Sequence, residues 1–321
     1  MTDQEKRPAP LLALVVPCYN EEAALPVTAA RLTEKLDGLT AAGLAAAGSF
    51  AILVDDGSRD ATWSVICALH AQDARFRGIK LSRNCGHQNA LLAGLMTAKD
   101  LCEAAISLDA DLQDDVDAMD DMLRQYADGC EIVYGVRSDR ASDTAFKRST
   151  AHGYYRLMGA LGADLVYDHA DYRLMSRRAL EALAGYGEVN LFLRGIVPML
   201  GFQTGEVRYA RAARQQGESK YPLRKMLAFA FEGISSLSVK PIRLITWLGF
   251  AIFLVTIGML AYILVRHFQG FTVDGWTFLA VSVWGLGGLQ LLSIGIVGEY
   301  IGKIYLETKQ RPRYHIETDL H

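Results

Sequence analysis

The segment Ser107-Leu-Asp-Ala-Asp-Leu-Gln-Asp114 decides the fold more than any other stretch of this chain. It begins within an apolar run, Ala104 to Leu108, that predicts a buried strand, and it continues into Asp109, Asp111 and Gln113. Side chains two positions apart in an extended backbone point the same way, so we expect these three to face one site. That site would lie at the carboxyl end of a strand, where open α/β sheets bind ligands.

The carboxylate and amide oxygens of this segment suit a divalent metal ion. Mg²⁺ or Mn²⁺ prefers such hard ligands and usually shares its coordination shell with substrate phosphates. The alternative is a solvated acidic loop, because further aspartates follow at positions 114, 115, 117, 120 and 121. A D-x-D pattern alone does not decide between the two.

The first half of the chain alternates predicted strands with predicted helices. The strands are expected at residues 11–16, 50–54, 79–82, 104–108 and 132–136, and the helices at 21–36, 61–69 and 87–98. This pattern indicates a mostly parallel α/β sheet with both faces covered. The polar loops after the first, second and fourth strands should therefore converge on one crevice.

Two of these loops offer groups that could bind a nucleotide. Tyr19 could stack on a base, and Asp55 or Asp56 could accept hydrogen bonds from a base or a ribose, although Asp-Gly is also an ordinary turn. Neither a G-x-G-x-x-G motif after the first strand nor a P-loop motif is present. The dinucleotide-binding and P-loop hypotheses therefore lose their main support.

Two long uncharged runs distinguish the last third of the chain. Residues 244–265 and 276–297 are each long enough as a helix to cross a bilayer, and Trp247 and Trp276 near their ends argue against the alternative of buried core helices. Basic residues crowd both outer flanks of this pair, so the positive-inside rule places both termini in the cytoplasm and the α/β part at the inner face of the plasma membrane. Overall, the 321 residues are 51% hydrophobic, with 33 basic and 36 acidic side chains, so we expect no polybasic surface for nucleic acid.

These observations divide the chain into four parts. Residues 1–222 form the α/β domain, 223–240 an amphipathic helix, 241–303 a transmembrane hairpin and 304–321 a cytoplasmic tail. Apolar residues of the second part recur at helical spacing, which suits either a helix in the membrane interface or one packed in a core. Glycines of the second span would permit close helix packing and a homo-oligomer.

A set of motifs in fixed order resembles the family 2 glycosyltransferases, which have the GT-A fold, a Rossmann-like α/β domain. The motifs are Pro17-x-Tyr-Asn-Glu21, Val54-Asp-Asp-Gly-Ser58, Ser82-Arg-Asn-x-Gly-His-Gln88 and Asp109-Ala-Asp-Leu-Gln-Asp114. More closely, the chain is similar to the polyprenyl-phosphate branch, which includes dolichol-phosphate mannose synthase and the undecaprenyl-phosphate glucosyltransferases of lipopolysaccharide modification. The similarity covers essentially the whole chain, through the segments 134–137, 171–175, 192–195, 217–221 and 298–305.

The resemblance implies roles for individual residues on the donor side. Asp111 and Gln113 would hold Mg²⁺ or Mn²⁺. The nucleotide sugar, expected to be a UDP-sugar, would be bound by residues of the three converging loops: Pro17, Tyr19, Glu21, Val54, Asp56, Asp109 and Ala110. Asp171 is implied as a catalytic base or a partner of a sugar hydroxyl, and a structural ion pair with Arg173 is its alternative role.

On the acceptor side the resemblance implies a set of phosphate-binding groups: Arg137, Lys147, Arg148, Arg214, Ser219 and Lys220. Arg137 could meet the phosphates of either substrate, and Lys147 and Arg148 are equally well placed for one position. The serine expected four residues after Lys147 is Ala151, and the usual Pro-Pro after the metal motif is Asp114-Asp115. The first departure removes one expected hydrogen bond, and the second should alter the loop more than the metal ligands.

The activity implied by the resemblance is metal-dependent, inverting transfer of a hexose to undecaprenyl phosphate. UDP-glucose is the expected donor, with mannose, N-acetylglucosamine or 4-amino-arabinose as alternative sugars, and a tetramer is the implied assembly. A lipid monophosphate is already anionic, so it needs no strong general base. A processive polysaccharide synthase would need a Q-x-x-R-W motif and more spans, and a non-catalytic assembly partner would not need an intact acidic segment.

Overall fold

The computed structural model describes residues 6–137, 169–189, 192–210, 240–269 and 275–321. The chain forms two compact units. The first contains Met1–Tyr155, Asp164–Tyr221 and Gln310–His321, and the second contains Arg156–Ala163 and Pro222–Lys309. The last residues of the chain therefore belong to the same unit as its beginning.

The first unit is built on a sheet of 8 strands in the order β7-β5-β6-β4-β1-β2-β3-β8. The strands are β1 (Leu12–Cys18), β2 (Phe50–Asp55), β3 (Phe76–Leu81), β4 (Ala104–Ser107), β5 (Ile132–Arg137), β6 (His169–Ser176), β7 (Thr204–Tyr209) and β8 (Ile316–Leu320). β1 pairs in parallel with β2 and β4, β2 with β3, and β5 with β7. β6 is antiparallel to β4 and β5, and β8 is antiparallel to β3. Because β1 lies between two parallel neighbours, the carboxyl ends of these three strands share one edge.

Helices cover both faces of this sheet. They are α1 (Leu25–Ala41), α2 (Thr62–Gln72), α3 (His87–Leu101), α4 (Ala118–Ala127), α5 (Arg177–Ala184) and α6 (Leu193–Met199). Alternate residues of β1 enter two apolar layers: Leu12, Leu14 and Val16 pack with α1, α2 and α4, whereas Ala13 and Val15 pack with α3, α5 and α6. This double burial explains why the central strands are continuous apolar runs.

The sequence predicted the first five strands and the helices α1, α2 and α3, with errors at the ends of elements, and it did not predict α4, α5 and α6. β1 continues through Pro17 to Cys18, α1 begins at Leu25 instead of position 21, and β4 stops at Ser107. The prediction of a mostly parallel α/β sheet is confirmed. The strands β6, β7 and β8 were not predicted, and the segment expected as a simple tail contributes β8 to the sheet edge.

The second unit contains the two long helices α7 (Lys240–Phe268) and α8 (Trp276–Thr308). Large apolar side chains such as Trp247, Phe250 and Leu291 are exposed on them. Among the described residues one segment, Gly285–Thr308, is long and apolar enough to cross a membrane. The two predicted spans thus exist as helices, and the crossing of a bilayer by both stays a prediction. Residues 223–239, expected as an amphipathic helix, lie outside the described residues.

Candidate functional site

A cavity of about 150 Å³ lies where β1 and β2 end and α3 begins. Its lining residues come from the end of β1, from the loops after β1, β2 and β3, and from the first turn of α3: Pro17, Cys18, Tyr19, Asp56, Asn84, Gly86, His87 and Ala90. Pro17, Tyr19 and Asp56 are three of the residues predicted to bind the nucleotide. Pockets for whole drug-sized ligands usually measure about 300–1,000 Å³, so this cavity suits part of a nucleotide.

Hydrogen bonds join the loops that follow β1 and β2. The Asn20 amide donates to Ser58 Oγ at 3.0 Å, and Asn20 Oδ1 accepts from the Arg59 amide at 2.9 Å. The Glu21 amide donates to Thr62 Oγ1 at 2.8 Å. Asn20 has φ 56, a left-handed conformation that asparagine tolerates better than most residues. The two loops are therefore fixed against each other before any ligand arrives.

The loop that follows β4 is tied to the same edge of the sheet through α1. The Thr28 hydroxyl donates to the carbonyl of Ala110 at 2.7 Å. The side chain of Ala110 is buried, so it would meet a ligand through its backbone. Val54 is fully buried within β2 and Glu21 is half-buried, and neither lines the cavity. The predicted convergence of three loops therefore holds, with only part of the predicted set on the cavity wall.

Asp56 organises the loop that leads into α3. Its Oδ1 accepts from the Cys85 amide at 2.6 Å and its Oδ2 from the Gly86 amide at 3.0 Å. Burial raises the pKa of Asp56, and these two amides oppose that rise. Asp56 therefore shapes the cavity wall, and as a carboxylate it retains lone pairs for a base or ribose. Asp55 is buried too, and its Oδ2 has no hydrogen-bond partner among the described residues.

The acidic segment does not continue β4 as an extended backbone. The prediction that Asp109, Asp111 and Gln113 lie along an extended backbone was therefore wrong. The Leu112 amide donates to the Asp109 carbonyl at 3.3 Å, and Leu112 has φ 46. The chain therefore turns here, leaving Asp111 exposed and Gln113 buried. The backbone amide of Gln113 donates to Asp111 Oδ1 at 3.2 Å, which keeps the two residues together despite the turn.

The donor set fits a metal ion that is completed by its substrate. Asp111 offers an exposed carboxylate, and the buried Gln113, whose backbone amide donates to that carboxylate, would add its side-chain Oε1 as a ligand. In the described part of the chain, no group of three or more His, Cys, Asp or Glu residues could hold a metal ion. The protein would thus supply few ligands, and phosphate oxygens and water would fill the shell, as Mg²⁺ commonly requires.

Several carboxylates crowd around Asp109. Burial raises the pKa of Asp109, His87 lowers it, and Asp114, Asp171 and Asp111 raise it further. His87 Nε2 lies 3.6 Å from Asp109 Oδ1 and 3.8 Å from Asp171 Oδ2. The mutual repulsion of these carboxylates favours cations at this place, whether protein side chains or a metal ion.

Asp114 shows what replaces the expected Pro-Pro. It is buried, and its Oδ1 accepts from Tyr209 Oη at 2.6 Å and from Arg137 Nη2 at 3.2 Å. The Tyr172 hydroxyl donates to the Asp115 carbonyl at 3.0 Å. The two aspartates therefore anchor the loop to β5, β6 and β7. Arg137, predicted to meet phosphates, is held by Asp114, and its side chain is still 30% exposed.

Asp171 lies between two arginines. Its Oδ1 is 2.6 Å from Nη2 of the buried Arg173, and its Oδ2 is 3.1 Å from Arg194 Nη2. Burial would raise the pKa of Asp171, but Arg194 and Arg173 outweigh burial and hold it far below its usual range. Such a carboxylate is a poor proton acceptor. The geometry therefore favours the alternative structural role of Asp171 over that of a base.

Two residues of this site received no role from the sequence. His87 begins α3 and lines the cavity, and Arg194, on α6, pairs with Asp171. Both stand in motifs that carried the family resemblance, which was the available signal. The remaining predicted acceptor groups, Lys147, Arg148, Arg214, Ser219 and Lys220, lie outside the described residues.

Comparison with known proteins identifies the family. The family model "Glycosyl transferase family 2" matches residues 13–184, more than half of the chain. The chain belongs to this family, and it is a glycosyltransferase.

Its relatives match over nearly their whole length. An uncharacterised glycosyltransferase of Bacillus subtilis (strain 168) is 52% identical, covering 98% of this chain and 94% of the relative. The bactoprenol glucosyl transferase of Shigella phage SfV is 38% identical, covering 96% of this chain and 98% of the relative. A solved glucosyl-3-phosphoglycerate synthase from Mycobacterium tuberculosis aligns with a TM-score of 0.44 at 16% identity, covering 70% of this chain and 78% of that one.

Proposed function

We propose that this glycosyltransferase moves a hexose from a nucleotide sugar to a polyprenyl phosphate at the cytoplasmic membrane face. The observation that carries the proposal is the full-length similarity, at 38% identity, to a bactoprenol glucosyl transferase. That similarity includes the long helices α7 and α8, which a transferase acting on soluble substrates would not need. Glucose from UDP-glucose is the proposed transfer, and the lipid-linked product would supply the cell envelope.

The donor would enter at the carboxyl edge of the sheet. The cavity beside Tyr19 and Asp56 suits the nucleoside, because it is preformed and has one exposed aromatic ring. The diphosphate would then point toward Asp109 and Asp111, where Asp111 and Gln113 would hold Mg²⁺ or Mn²⁺. Such an ion, when bound, neutralises charge on the departing diphosphate.

The side chains of the site are suited to alignment more than to proton transfer. Asp171 stays ionised between Arg173 and Arg194, so it fixes the position of Arg194. Arg137 is fixed in turn by Asp114. An acceptor phosphate is already anionic and needs charge compensation and in-line positioning, which guanidinium groups provide. The weak basicity of Asp171 is therefore compatible with this reaction.

The path of the chain supports a membrane hairpin. Residues 222–309 belong to the second unit, and the chain then returns to the first, because β8 pairs with β3. A segment that starts and ends in one folded unit crosses a membrane an even number of times. With α7 and α8 as the two crossings, both termini would be cytoplasmic and residues 270–274 would lie outside.

The decisive experiment is transfer by the full-length protein in membranes. Undecaprenyl phosphate would be offered with UDP-glucose, UDP-N-acetylglucosamine, GDP-mannose and UDP-4-amino-arabinose, each with Mn²⁺ and with EDTA. We expect a glucosylated lipid with UDP-glucose and none in EDTA. Transfer from another donor would replace glucose as the proposed sugar. Absence of transfer from all donors would overturn the proposal.

A further inference from the structure

The C-terminal segment Arg313–Leu320 contacts two loops that border the site, although it follows α8 in the chain. Its strand β8 is the edge neighbour of β3, with Gly78 opposite Leu320 and Lys80 opposite Thr318. The Ser82 amide donates to the carbonyl of His315 at 3.0 Å, so the pairing extends past the end of β3.

The first of these loops is residues 82–86, which continue β3. Asn84 and Gly86 line the cavity, and the amides of Cys85 and Gly86 bind Asp56. Leu320 lies over Gly78, four residues before this loop, and the pairing of the C-terminal segment with β3 runs from there to Ser82. A Cβ atom on Gly78 would lie 3.1 Å from Leu320 Cδ1 and 2.7 Å from Ile66 Cγ2, so β8 packs directly on the backbone of β3.

The second loop follows α5 and leads toward α6. The Arg313 guanidinium donates from Nη1 to the Glu188 carbonyl at 3.2 Å and from Nη2 to the Tyr186 carbonyl at 3.1 Å. Tyr314, like Tyr186 and Cys85, packs against the core layer that contains α3 and α6. α6 carries Arg194, which holds Asp171.

We propose that the C-terminal segment Arg313–Leu320 is a positioning element of the active site, with Leu320 setting the 82–86 loop and Arg313 setting the 186–188 loop. The inference rests on the proposed function for its kinetic readout. Because the segment lies after α8, a chain without it would keep Asp111 and Gln113 yet lack the two supports. The segment Arg313–Leu320 thus supports both the donor cavity and the ion pair of Arg194 with Asp171.

Variants of the full-length protein test the two supports separately. Arg313→Ala should lower kcat at least about 10-fold, because the carbonyls of Tyr186 and Glu188 lose the charged group that donates to them. Leu320→Ala should instead weaken UDP binding, measured by calorimetry, by about 10-fold, because the half-buried leucine over Gly78 no longer holds β3 and the loop that follows it. Arg311→Ala, at an exposed arginine two residues away, is the matched control and should change neither value.

Amide hydrogen exchange separates this proposal from the choice of donor. Arg313→Ala should speed exchange at residues 186–189 and Leu320→Ala at residues 82–86, whatever sugar the enzyme uses. Arg313→Lys, which keeps the charge, should restore part of the kcat, and it also serves if Arg313→Ala does not fold. Unchanged exchange at both loops, or a kcat of Arg313→Ala equal to that of Arg311→Ala, would overturn the proposal. Absence of UDP binding by the wild type would overturn the donor assignment alone.

Discussion

The two halves of the candidate site are held together by different forces. The donor half, residues 17–22, 55–60 and 82–87, is joined by hydrogen bonds to backbone amides, such as those that Asp56 accepts. The acidic half, residues 109–114 with Arg137, Asp171 and Arg194, is joined by ion pairs among buried or half-buried charges. The donor half is therefore preformed, and the acidic half depends on which charges are present.

Removal of Asp171 should produce the largest effect of any change that tests this difference. Asp171→Ala leaves the buried Arg173 without its carboxylate, and breaking a buried pair commonly costs about 3–5 kcal/mol. We expect that loss in the free energy of unfolding from urea titration, with Glu181→Ala, at an exposed position, as the control. A loss similar to that of the control would mean that the ion pairs contribute little.

The pH dependence of stability tests the same ion pairs of Asp171. The pKa of Asp171 is lowered in the folded protein, so its contribution is complete above the unfolded value of about 3.9 and declines as the pH falls below it. As the pH falls below about 4, the difference in the free energy of unfolding between the wild type and Asp171→Ala should decrease. A constant difference between the two proteins across that range would contradict the assignment.

The second largest effect should come from Asp111. Asp111→Asn keeps the side-chain shape and removes the charge proposed to hold the metal ion, so turnover should fall by ~10²-fold while the fold is retained. The measurement is initial rate against Mn²⁺ concentration, and Asp100→Asn, at an exposed aspartate in α3, is the control. Full activity of Asp111→Asn would remove Asp111 from the metal site.

The sequence predicted the donor half better than the acidic half for a physical reason. β1 and β2 are buried on both faces, so their apolar runs mark them and the polar loops at their ends. β6 contains Asp171 and Arg173, whose burial depends on each other, so it lacks an apolar run that would reveal a strand. The polar edge strand β8 was missed because its pairing with β3 joins residues far apart in the chain.

The turn at Leu112 could not be predicted from local pattern. A positive φ is uncommon for a residue other than glycine, so an extended backbone was the reasonable expectation for the segment after β4. The same segment still placed the acidic side chains at the correct edge of the sheet. Sequence thus located the acidic region that is proposed to bind the metal ion, and the ion pairs of Asp114 and Asp171 required the structure.

A change at Asp56 should affect the donor half alone. Asp56→Asn would place an amide NH₂ against the amide of Cys85 or Gly86, losing a charge-assisted hydrogen bond worth about 1.5–3 kcal/mol. UDP binding measured by calorimetry should weaken by about 10-fold or more, and the affinity for Mn²⁺ should change little. Equal losses of UDP and Mn²⁺ affinity would show that the two halves are not separable.

The last prediction concerns the close approach of the two donor loops at Gly57. Gly57 has φ +64, and a Cβ atom there would lie 2.5 Å from the Arg83 carbonyl carbon and the Asn84 nitrogen. Gly43 has φ +66 with nothing within 4 Å, so Gly43→Ala measures the cost of the left-handed backbone alone, about 1–2 kcal/mol. Gly57→Ala should cost more than Gly43→Ala and should also weaken UDP binding, because residues 83–84 must move and Asn84 lines the cavity. If both variants lose the same stability and bind UDP as the wild type does, the donor half tolerates displacement of this loop, and its rigidity does not determine donor affinity.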